Sequence, residues 1–362
     1  MHLKATMSEL GVTHITVRRR NPRWFVSTTR AYLHAAYRTR RSRPIYRELS
    51  FAEDDSSSFA AVLPYGRICK DGMLVLTKRF QLLQDISFTF QGEHLKPVRR
   101  IQMLQQWREK PARFLGRTAA YLCSASPGNY FHWMLDVLPR LYLLEQSGIP
   151  VDTYIMNRTT LHAFHKETLA AVNISPHQIL DARLHLQVKR LVVTSPITRY
   201  QFNVQPYVIP VSIPKWACHY LRSVFIPPEL DHLGTAGKGR YLYISRRHAV
   251  YRKVVNEPEL TEALSTLGFK VVQLEHLRHA EQVQLFVEAA CIVAPHGAGL
   301  TNTVFCRPGT RIIELFASNY TPSYYEMISA HMDLDYHRMV SEPEEASLDF
   351  RVNPEDVLKL IR

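Results

Sequence analysis

Short apolar runs alternate with segments of helical periodicity throughout the C-terminal half of the chain. Runs rich in β-branched and aromatic residues predict strands at 240–245, 270–274, 291–294 and 311–316. Between them, apolar positions at helical spacing predict helices at 256–268 and 279–290, the first with Asn256 and Glu259 in the positions of a capping box. This order predicts a parallel sheet with crossover helices, as in a Rossmann-like domain.

The N-terminal half alternates in a similar way after a less regular start. The patterns predict strands at 72–77, 86–90, 119–123, 153–156 and 190–194, and helices at 130–146, 162–172 and 215–225. Residues 53–58 read as an exposed loop, and the proline-bearing segments 200–215 and 227–238 as a linker and a loop. We therefore predict an α/β fold with two domains, residues 1–205 and 206–362, separated by a cleft, with the final helix free to pack back on the first domain.

Length and composition fit two globular domains. The chain has 362 residues, of which 46% are apolar, and no window reaches the roughly 18 consecutive apolar residues of a membrane-spanning helix. The first residues lack an apolar core of signal-peptide length. Five scattered cysteines without a CxxC pair predict neither a disulfide framework nor a zinc site. We expect a cytoplasmic protein.

The formal net charge of +13 is concentrated near the N-terminus, where residues 18–43 carry nine arginines. A basic surface attracts anionic partners, although a plain solvated surface is an equal alternative. Nucleic acid is disfavoured, because the segment lacks a helix-turn-helix, zinc or RRM motif. We therefore favour peripheral contact with the inner face of an anionic membrane, where lipid-linked acceptors are found.

The segment Pro295–Asn302 follows a short apolar strand and precedes a predicted helix that begins near Ala298. Ligands of open α/β sheets bind beyond the carboxyl ends of the strands, and a helix N-terminus presents free N–H groups to anions. Gly297 and Gly299 would allow close backbone approach to a ligand, and His296 would add a donor. The segment matches neither a Walker loop nor a GxGxxG fingerprint. It predicts an anion site, the alternative being a tight structural turn.

Two further strand ends contribute candidates. Glu314, within an apolar strand, needs donors for its oxygens, which a ribose diol or an arginine inside the fold would supply. The loop 245–253 carries Arg246 and Arg252, whose planar guanidinium groups suit a diphosphate. The alternative for these arginines is an ordinary exposed surface. It is less favoured because the loop is expected to meet the His296 loop.

The predicted helix after residue 129 holds a possible acid–base pair. His132 and Asp136 are four residues apart and share a helical face, with Arg140 one step further along. Pro139 should disturb the helix nearby. A histidine oriented by a carboxylate is a general-base arrangement; the alternative is a surface ion pair beside a buried Trp133.

A second acidic motif carries less weight. The dipeptide spacing of Asp333 and Asp335 matches a metal-binding DxD, but it reads as the start of an ordinary strand. We therefore predict that no metal is bound.

Three blocks of the sequence together resemble glycosyltransferase family 61. They are Asn129–Arg140, Tyr243–Glu257 with Arg246 and Arg252, and His296–Asn302 followed by Pro308-Gly and Glu314. The resemblance covers about residues 119–340 and leaves out the first hundred. It implies a GT-B architecture and inverting, metal-independent transfer from a nucleotide-diphosphate sugar, most often a UDP-sugar, to a glycan hydroxyl.

The resemblance also implies roles for individual residues. His132 and Asp136 would be catalytic, and the acceptor side would include Asn129, Trp133 and Arg140. The nucleotide sugar would be held by Arg246, Arg252, His296, Gly297, Ala298, Gly299, Leu300, Thr301, Asn302 and Glu314. No cofactor is expected beyond the donor itself, and the setting would be polysaccharide biosynthesis such as that of a capsule.

The expected mechanism is a single displacement. His132, oriented by Asp136, or Asp136 itself would remove the acceptor proton, while Arg246 and the segment after His296 stabilise the leaving diphosphate. Two rival functions remain at this point. One is a basic nucleic-acid-binding protein, whose binding would depend strongly on salt. The other is a sugar-nucleotide-binding subunit without turnover.

Overall fold

The structure is a computed structural model in which two compact units are seen. One unit comprises Met1–Leu161 and Asn173–Ile197, and the other comprises His162–Val172 and Thr198–Arg362. The predicted boundary between residues 205 and 206 stays a prediction. The structure describes residues 5–7, 13–16, 25–27, 29–30, 33, 45–51, 54–91, 94–97, 111–157, 161–200, 211–231, 239–344 and 348–362.

The first unit is built on an eleven-stranded mixed sheet within the described residues. Its strands are β1 (Ala5–Met7), β2 (Thr13–Thr16), β3 (Phe25–Ser27), β4 (Tyr46–Phe51), β5 (Asp54–Cys69), β6 (Leu74–Leu76), β7 (Leu82–Leu83), β10 (Arg113–Tyr121), β11 (Thr153–Met156), β12 (Ile179–Asp181) and β13 (Leu186–Thr194). A separate hairpin pairs β8 (Phe88–Gln91) with β9 (His94–Pro97). The sheet order is β1-β2-β3-β7-β6-β5-β13-β10-β11-β12, and β4 pairs with β5.

Part of this sheet has the predicted α/β character. Strands β13, β10, β11 and β12 run parallel, whereas β5 joins β13 in antiparallel register. The parallel strands read as continuous apolar runs because both faces are covered, and Leu191, Val192 and Val193 are fully buried. The predicted loop at 53–58 is wrong from Asp54 onward, since these residues begin the sixteen-residue strand β5.

Helical segments cover the connections of the parallel part. They are α1 (Tyr130–His132), a π-helical turn (Trp133–Val137), α2 (Pro139–Ser147) and a short 3-10 segment (Pro176–Gln178). The predicted helix at 130–146 is therefore confirmed with a wide turn inside it. Pro139 explains that turn, because a proline ring clashes with the carbonyl four residues earlier and contributes no N–H. The helix ends at Gly148, which adopts the left-handed conformation that favours glycine.

The second unit contains a five-stranded sheet in which every strand runs parallel. Its strands are β16 (Arg240–Ile244), β17 (Lys270–Val272), β18 (Ala289–Pro295), β19 (Arg311–Ala317) and β20 (Asp335–Ser341), and a small hairpin joins β14 (Arg199–Tyr200) to β15 (Val211–Ser212). The helices are α3 (Ala163–Ala171), α4 (Lys215–Phe225), α5 (Pro228–Asp231), α6 (Glu257–Ser265), α7 (His279–Val287), α8 (Tyr324–His331) and α9 (Pro354–Ile361), with 3-10 segments at Leu274–His276 and Ala298–Phe305.

The strand order of this sheet, β17-β16-β18-β19-β20, confirms the predicted parallel arrangement with crossover helices. It is a doubly wound order: the strand that follows β16 lies on one side of it, and the strand that follows β18 lies on the opposite side. Ligands of such sheets bind at that switch point, outside the carboxyl ends of the two strands. The loops beginning at Ser245 and His296 leave the sheet there.

Two local predictions need correction. Asn256 does not cap α6 with its side chain; its amide instead joins Glu259 and the backbone of Val352. The predicted loop at 227–238 begins with the short helix α5, and residues 232–238 lie outside the described part.

The last helix, α9, buries Val357 and Leu358 in the core of the second unit and packs on α6. Its apolar face thus packs within its own unit. The expectation that this helix packs back on the N-terminal domain stays a prediction. Among the described helices, none combines the length and the apolar character needed to cross a membrane.

Candidate functional site

The two loops at the switch point meet directly. The Arg246 guanidinium lies over Gly297, so closely that a Cβ atom at Gly297 would collide with it. Gly297 itself has an extended backbone, with a φ of 175° that any residue can adopt. This glycine is therefore required for space rather than for backbone freedom. The predicted convergence of the arginine-bearing loop and the glycine-rich loop is what the structure shows.

Arg246 and Arg252 form an uncompensated pair of cations at this point. Within the described residues neither has a carboxylate oxygen within 4 Å, and the buried Nε atom of each has no hydrogen-bond partner. Burial and the nearby charge of Arg252 lower the pKa of Arg246 below its usual value. By contrast, the neighbouring Arg247 pairs with Glu257. Two half-buried cations without an anion are costly and favour binding one.

Arg252 is also held in an unusual backbone conformation. Its φ is 63°, in the left-handed region that a non-glycine residue rarely adopts. Its guanidinium lies over the rings of Tyr251 and Tyr320, at 4.9 and 5.3 Å from their centroids. Strained residues of this kind persist where the surrounding structure holds them, and they concentrate at ligand sites.

His296 is the first residue beyond β18 and is only 3% exposed. Its Nδ1 atom lies 2.5 Å from Oε1 of Glu314, and its ring stacks on Phe316 at 5.2 Å. Burial, together with the charges of Arg252 and Arg246, holds the pKa of His296 well below its ordinary value. The histidine is therefore neutral at physiological pH, with one ring nitrogen engaged by Glu314.

Glu314 lies in the middle of β19 and is fully buried. Its second oxygen accepts a hydrogen bond of 2.6 Å from the hydroxyl of Tyr336 on β20. Burial raises the pKa of Glu314 to about 8, and the Tyr336 hydrogen bond acts in the opposite direction. Of the sequence alternatives, pairing with an arginine inside the fold is wrong, because the partners of Glu314 are a histidine and a tyrosine. Its predicted contact with a ribose stays a prediction.

The rest of the glycine-rich segment divides into partly exposed and buried residues. Ala298 and Gly299 are partly exposed, whereas Leu300, Thr301 and Asn302 are buried. A Cβ at Gly299 would lie 2.7 Å from Leu274, so this glycine admits a neighbouring side chain.

Asn302 serves the interior of the unit. Its amide donates to Gln282, which in turn donates to the carbonyls of Leu274 and Leu277. The predicted helix after the glycine-rich segment is a 3-10 segment rather than an α-helix. Its start carries the exposed backbone of the site.

A second histidine–carboxylate pair lies in the first unit. His132 Nδ1 is 2.6 Å from Asp136 Oδ2, as the spacing of four residues predicted, and their side chains are 23% and 11% exposed. The pair spans α1 and the π-helical turn. Such wide turns occur frequently at functional sites.

The residues predicted beside this pair occupy different settings. Asn129 caps α1 by accepting from the backbone N–H of Phe131. Trp133 is buried, as the alternative interpretation of this helix expected. Arg140 is buried as well and donates to the carbonyl of Cys123, at the end of β10. Direct contact of these three residues with an acceptor stays a prediction.

The DxD motif of Asp333 and Asp335 has a structural explanation. Asp335 begins β20, forms an ion pair with Arg311 at 2.7 Å, and lies 2.9 Å from Nε2 of His337. Among the described residues, no group of three or more histidine, cysteine, aspartate or glutamate side chains is placed to hold a metal ion. Of the nine arginines in the segment 18–43, only Arg30 lies within the described residues.

Tyr336 is a site residue that the sequence reasoning missed. A tyrosine within a strand carries no signal of its own, since aromatic residues are common in strands. The available clue was its position two strands from His296 and one strand from Glu314, which becomes visible only once the sheet order is known.

Comparison with known proteins finds matches to the part of the chain that contains these sites. The family model described as glycosyltransferase 61 matches residues 130–313, half of the chain. A β-1,2-xylosyltransferase of Arabidopsis thaliana is 29% identical over 103 residues, which cover 25% of this chain and 19% of that protein. The β-1,2-xylosyltransferase RCN11 of Oryza sativa subsp. japonica is 36% identical over 62 residues, or 17% of this chain and 12% of its own.

A third relative carries a different activity in its name. The human protein O-linked-mannose β-1,4-N-acetylglucosaminyltransferase 2 is 31% identical over 116 residues, which cover 30% of this chain and 20% of that protein. The matched segments thus span a fifth or less of the length of these relatives. The family match includes both histidine–carboxylate pairs except for Glu314, which follows it directly. The chain therefore belongs to the glycosyltransferase 61 family.

Proposed function

We propose that this protein transfers a sugar from a nucleotide-diphosphate sugar to a hydroxyl group of a glycan, and that its second unit binds the donor. The observation that carries the proposal is the unpaired arginine couple, Arg246 and Arg252, at the switch point of a parallel sheet. A diphosphate would supply the ion-pair partner that no carboxylate of the described residues provides within 4 Å. Family membership supports sugar transfer as the reaction.

The donor would lie with its diphosphate between the two strand-end loops. Arg246 would contribute charge-assisted hydrogen bonds, and the backbone N–H groups that begin at Ala298 would add neutral ones. As the bond between the anomeric carbon and the diphosphate breaks, negative charge grows on the leaving oxygen. Fixed donors aimed at that charge are usually the largest contribution to such a rate enhancement. We take the nucleotide to be uridine diphosphate.

The acceptor hydroxyl would be deprotonated by His132. Asp136 accepts from Nδ1–H and so leaves Nε2 as the basic nitrogen of the ring. The acceptor oxygen attacks the anomeric carbon, its proton passes to His132, and the nucleoside diphosphate departs. Asp136 itself as the direct base is the alternative from the sequence, although its side chain is only 11% exposed.

We further propose a GT-B arrangement and an inverting reaction that needs no metal ion. One displacement inverts the anomeric centre, so an α-linked donor gives a β-linked product. The names of the relatives specify β-1,2 and β-1,4 products, which fits this stereochemistry. By analogy with those names, xylose and N-acetylglucosamine are the first sugars to test, with mannose-containing glycans as acceptors. Peripheral membrane contact through residues 18–43 and a cytoplasmic location remain proposals of the same kind.

A transfer assay tests the proposal. The full chain is incubated with UDP-xylose or UDP-N-acetylglucosamine and a panel of mannose-containing oligosaccharides, with and without EDTA. We expect a β-linked product in both conditions, identified by mass and by the anomeric proton coupling in NMR. The Arg351→Ala variant, which removes an exposed arginine of the same unit, should behave as the wild type. Absence of transfer and of donor hydrolysis across a wider donor panel would contradict the proposal.

A further inference from the structure

Three side chains from three neighbouring segments form a continuous hydrogen-bonded row, and the charges of both arginines act on its histidine. Tyr336 on β20 donates to Oε2 of Glu314 at 2.6 Å, and Oε1 of Glu314 lies 2.5 Å from Nδ1 of His296. Glu314 is fully buried and the His296 side chain is 4% exposed. Neither the resemblance nor the sequence assigned Tyr336 any role.

The direction of the first hydrogen bond determines where a proton on Glu314 must sit. Oε2 is occupied as an acceptor by the Tyr336 hydroxyl, so a carboxyl proton belongs on Oε1, facing Nδ1 of His296. Neutral imidazole has one donor and one acceptor nitrogen. If Nδ1 accepts from Glu314, then Nε2 carries the hydrogen and becomes a donor.

We propose that Tyr336 and Glu314 are positioning residues that fix the tautomer of His296, so that its Nε2–H donates to the diphosphate of the donor substrate. This inference rests on the proposed function, because it assigns a proton-dependent step to the same site. The protonated carboxyl of Glu314 is the part of the row that responds to pH. When it ionises, Nδ1 takes the hydrogen and Nε2 becomes an acceptor, which cannot bind a phosphate oxygen.

The surroundings support the protonated form at neutral pH. Burial raises the pKa of Glu314 to about 8, and burial with two arginine charges keeps His296 neutral. A bound dianion would favour the uncharged carboxyl further, since like charges disfavour each other's presence. Donor binding and proton retention at Glu314 are therefore coupled.

The other groups that face this row of hydrogen bonds do not account for the expected pH dependence of binding. Burial raises the pKa values of Tyr324, Tyr325 and Tyr336 above the ordinary value of tyrosine, so these hydroxyls stay protonated through pH 9. Tyr320 lies near the His296 ring as well. The charged groups are Arg246 and Arg252 from the loop after β16, Arg338 from β20 and Glu326 from α8.

The expected sign follows from these directions. Glu314 is protonated below pH 8 and loses its proton as the pH rises through that value. Binding that requires the protonated form weakens by about tenfold for each pH unit above the pKa of the free protein. Calorimetric titration of UDP into the full chain should therefore show nearly constant affinity from pH 7 to 7.5 and about tenfold weaker binding at pH 9. At pH 9 the complex should take up a proton, measurable as a heat that differs between buffers of different ionisation enthalpy.

Two variants separate positioning from mere structural support. In Glu314→Gln the amide oxygen accepts from Tyr336 and the amide group donates to Nδ1, which mimics the protonated carboxyl permanently. Its affinity for UDP should stay constant from pH 7 to 9 without proton uptake. In Tyr336→Phe the ionised carboxylate loses a donor, so the weakening should begin about one pH unit higher than in the wild type. Tyr241→Phe, on an exposed face of β16, is the matched control and should follow the wild-type profile.

The outcomes distinguish the two proposals. If the wild type binds neither UDP nor any other nucleoside diphosphate, the proposed function fails. If UDP binds and depends on Arg246, but Glu314→Gln keeps the wild-type pH profile, the tautomer inference is overturned while the donor site stands. The same conclusion follows if Tyr336→Phe and Tyr241→Phe give identical profiles. Thermal unfolding at pH 7 verifies that each variant is folded before titration. If Glu314→Gln does not fold, Tyr336→Phe supplies the test.

Discussion

Two short histidine–carboxylate contacts among the described residues lie in very different settings. His132 and Asp136 are 2.6 Å apart and four residues apart in sequence, and the histidine side chain is partly exposed. His296 and Glu314 are 2.5 Å apart, eighteen residues apart in sequence, and almost completely buried. The first pair lies along one helical stretch, and the second joins the residue after β18 to the middle of the adjacent strand β19.

The comparison teaches that the environment, rather than the pair itself, determines what a histidine can do. A partly exposed pair can receive a proton from a substrate and release it to water, which suits a general base. In the buried pair, desolvation and the charges of two arginines hold His296 neutral, so this histidine is suited to donate a fixed hydrogen bond. Under the proposed function, the same two groups would serve proton transfer in one unit and anion binding in the other.

The largest effect should come from the exposed pair. His132→Ala should lower the transfer rate by about 10² to 10⁴, the usual contribution of a general base, while UDP binds as in the wild type. Single-turnover transfer and calorimetric UDP titration measure the two quantities separately. The exposed His177 of the same unit provides the control variant, His177→Ala. Near-wild-type transfer by His132→Ala would remove this histidine from the mechanism and with it the proposed division of roles.

Replacing the carboxylate of each pair should change the stability of the protein by different amounts. Glu314→Ala leaves the buried His296 and Tyr336 without their common partner and should cost about 1–3 kcal/mol of unfolding free energy. Asp136→Ala should cost less than about 1 kcal/mol, because His132 is exposed enough to bond water instead. Urea denaturation at pH 7 compares the two variants. An equal or larger loss for Asp136→Ala would show that the exposed pair is the structural one.

A smaller effect is expected at the contact between the two loops. Gly297→Ala places a methyl group where the Arg246 guanidinium lies, and the end of this flexible side chain must move. UDP affinity should fall by about tenfold, the loss of one charge-assisted hydrogen bond, with little change in thermal stability. Gly116→Ala is the control, since its added Cβ would meet only Phe114 at 3.6 Å. Unchanged UDP affinity in Gly297→Ala would mean that the observed position of Arg246 is not the one used in binding.

Much of the second unit could be predicted from the sequence because its parallel strands are buried on both faces. Strands of this kind appear as continuous apolar runs, and helices between them carry their own periodicity. The first unit was harder to predict. Its strand β5 begins with Asp54 and four further polar or small residues, and it pairs with β13 more than a hundred residues away. Pairing over such a distance, and not local composition, decides that this segment is a strand.

The site residues likewise fall into those that the sequence predicted and those that it could not predict. Arg246, Arg252 and His296 were found because each lies just beyond a predicted strand, at the edge where ligands bind. The His132–Asp136 contact was predicted from helical spacing. The partners of Glu314 could not be chosen from the sequence, since they depend on which strands are neighbours. Tyr336 was missed for the same reason.

The claim on which the account depends is that the unpaired arginine couple of the second unit binds the donor diphosphate. Calorimetric titration of UDP at fixed salt and pH 7 into the wild type, Arg246→Ala and Arg351→Ala tests it most directly. We predict saturable binding to the wild type and Arg351→Ala, and binding about 10- to 150-fold weaker to Arg246→Ala, the loss of hydrogen bonds to a charged group. Equal binding of UDP by all three proteins would contradict the account.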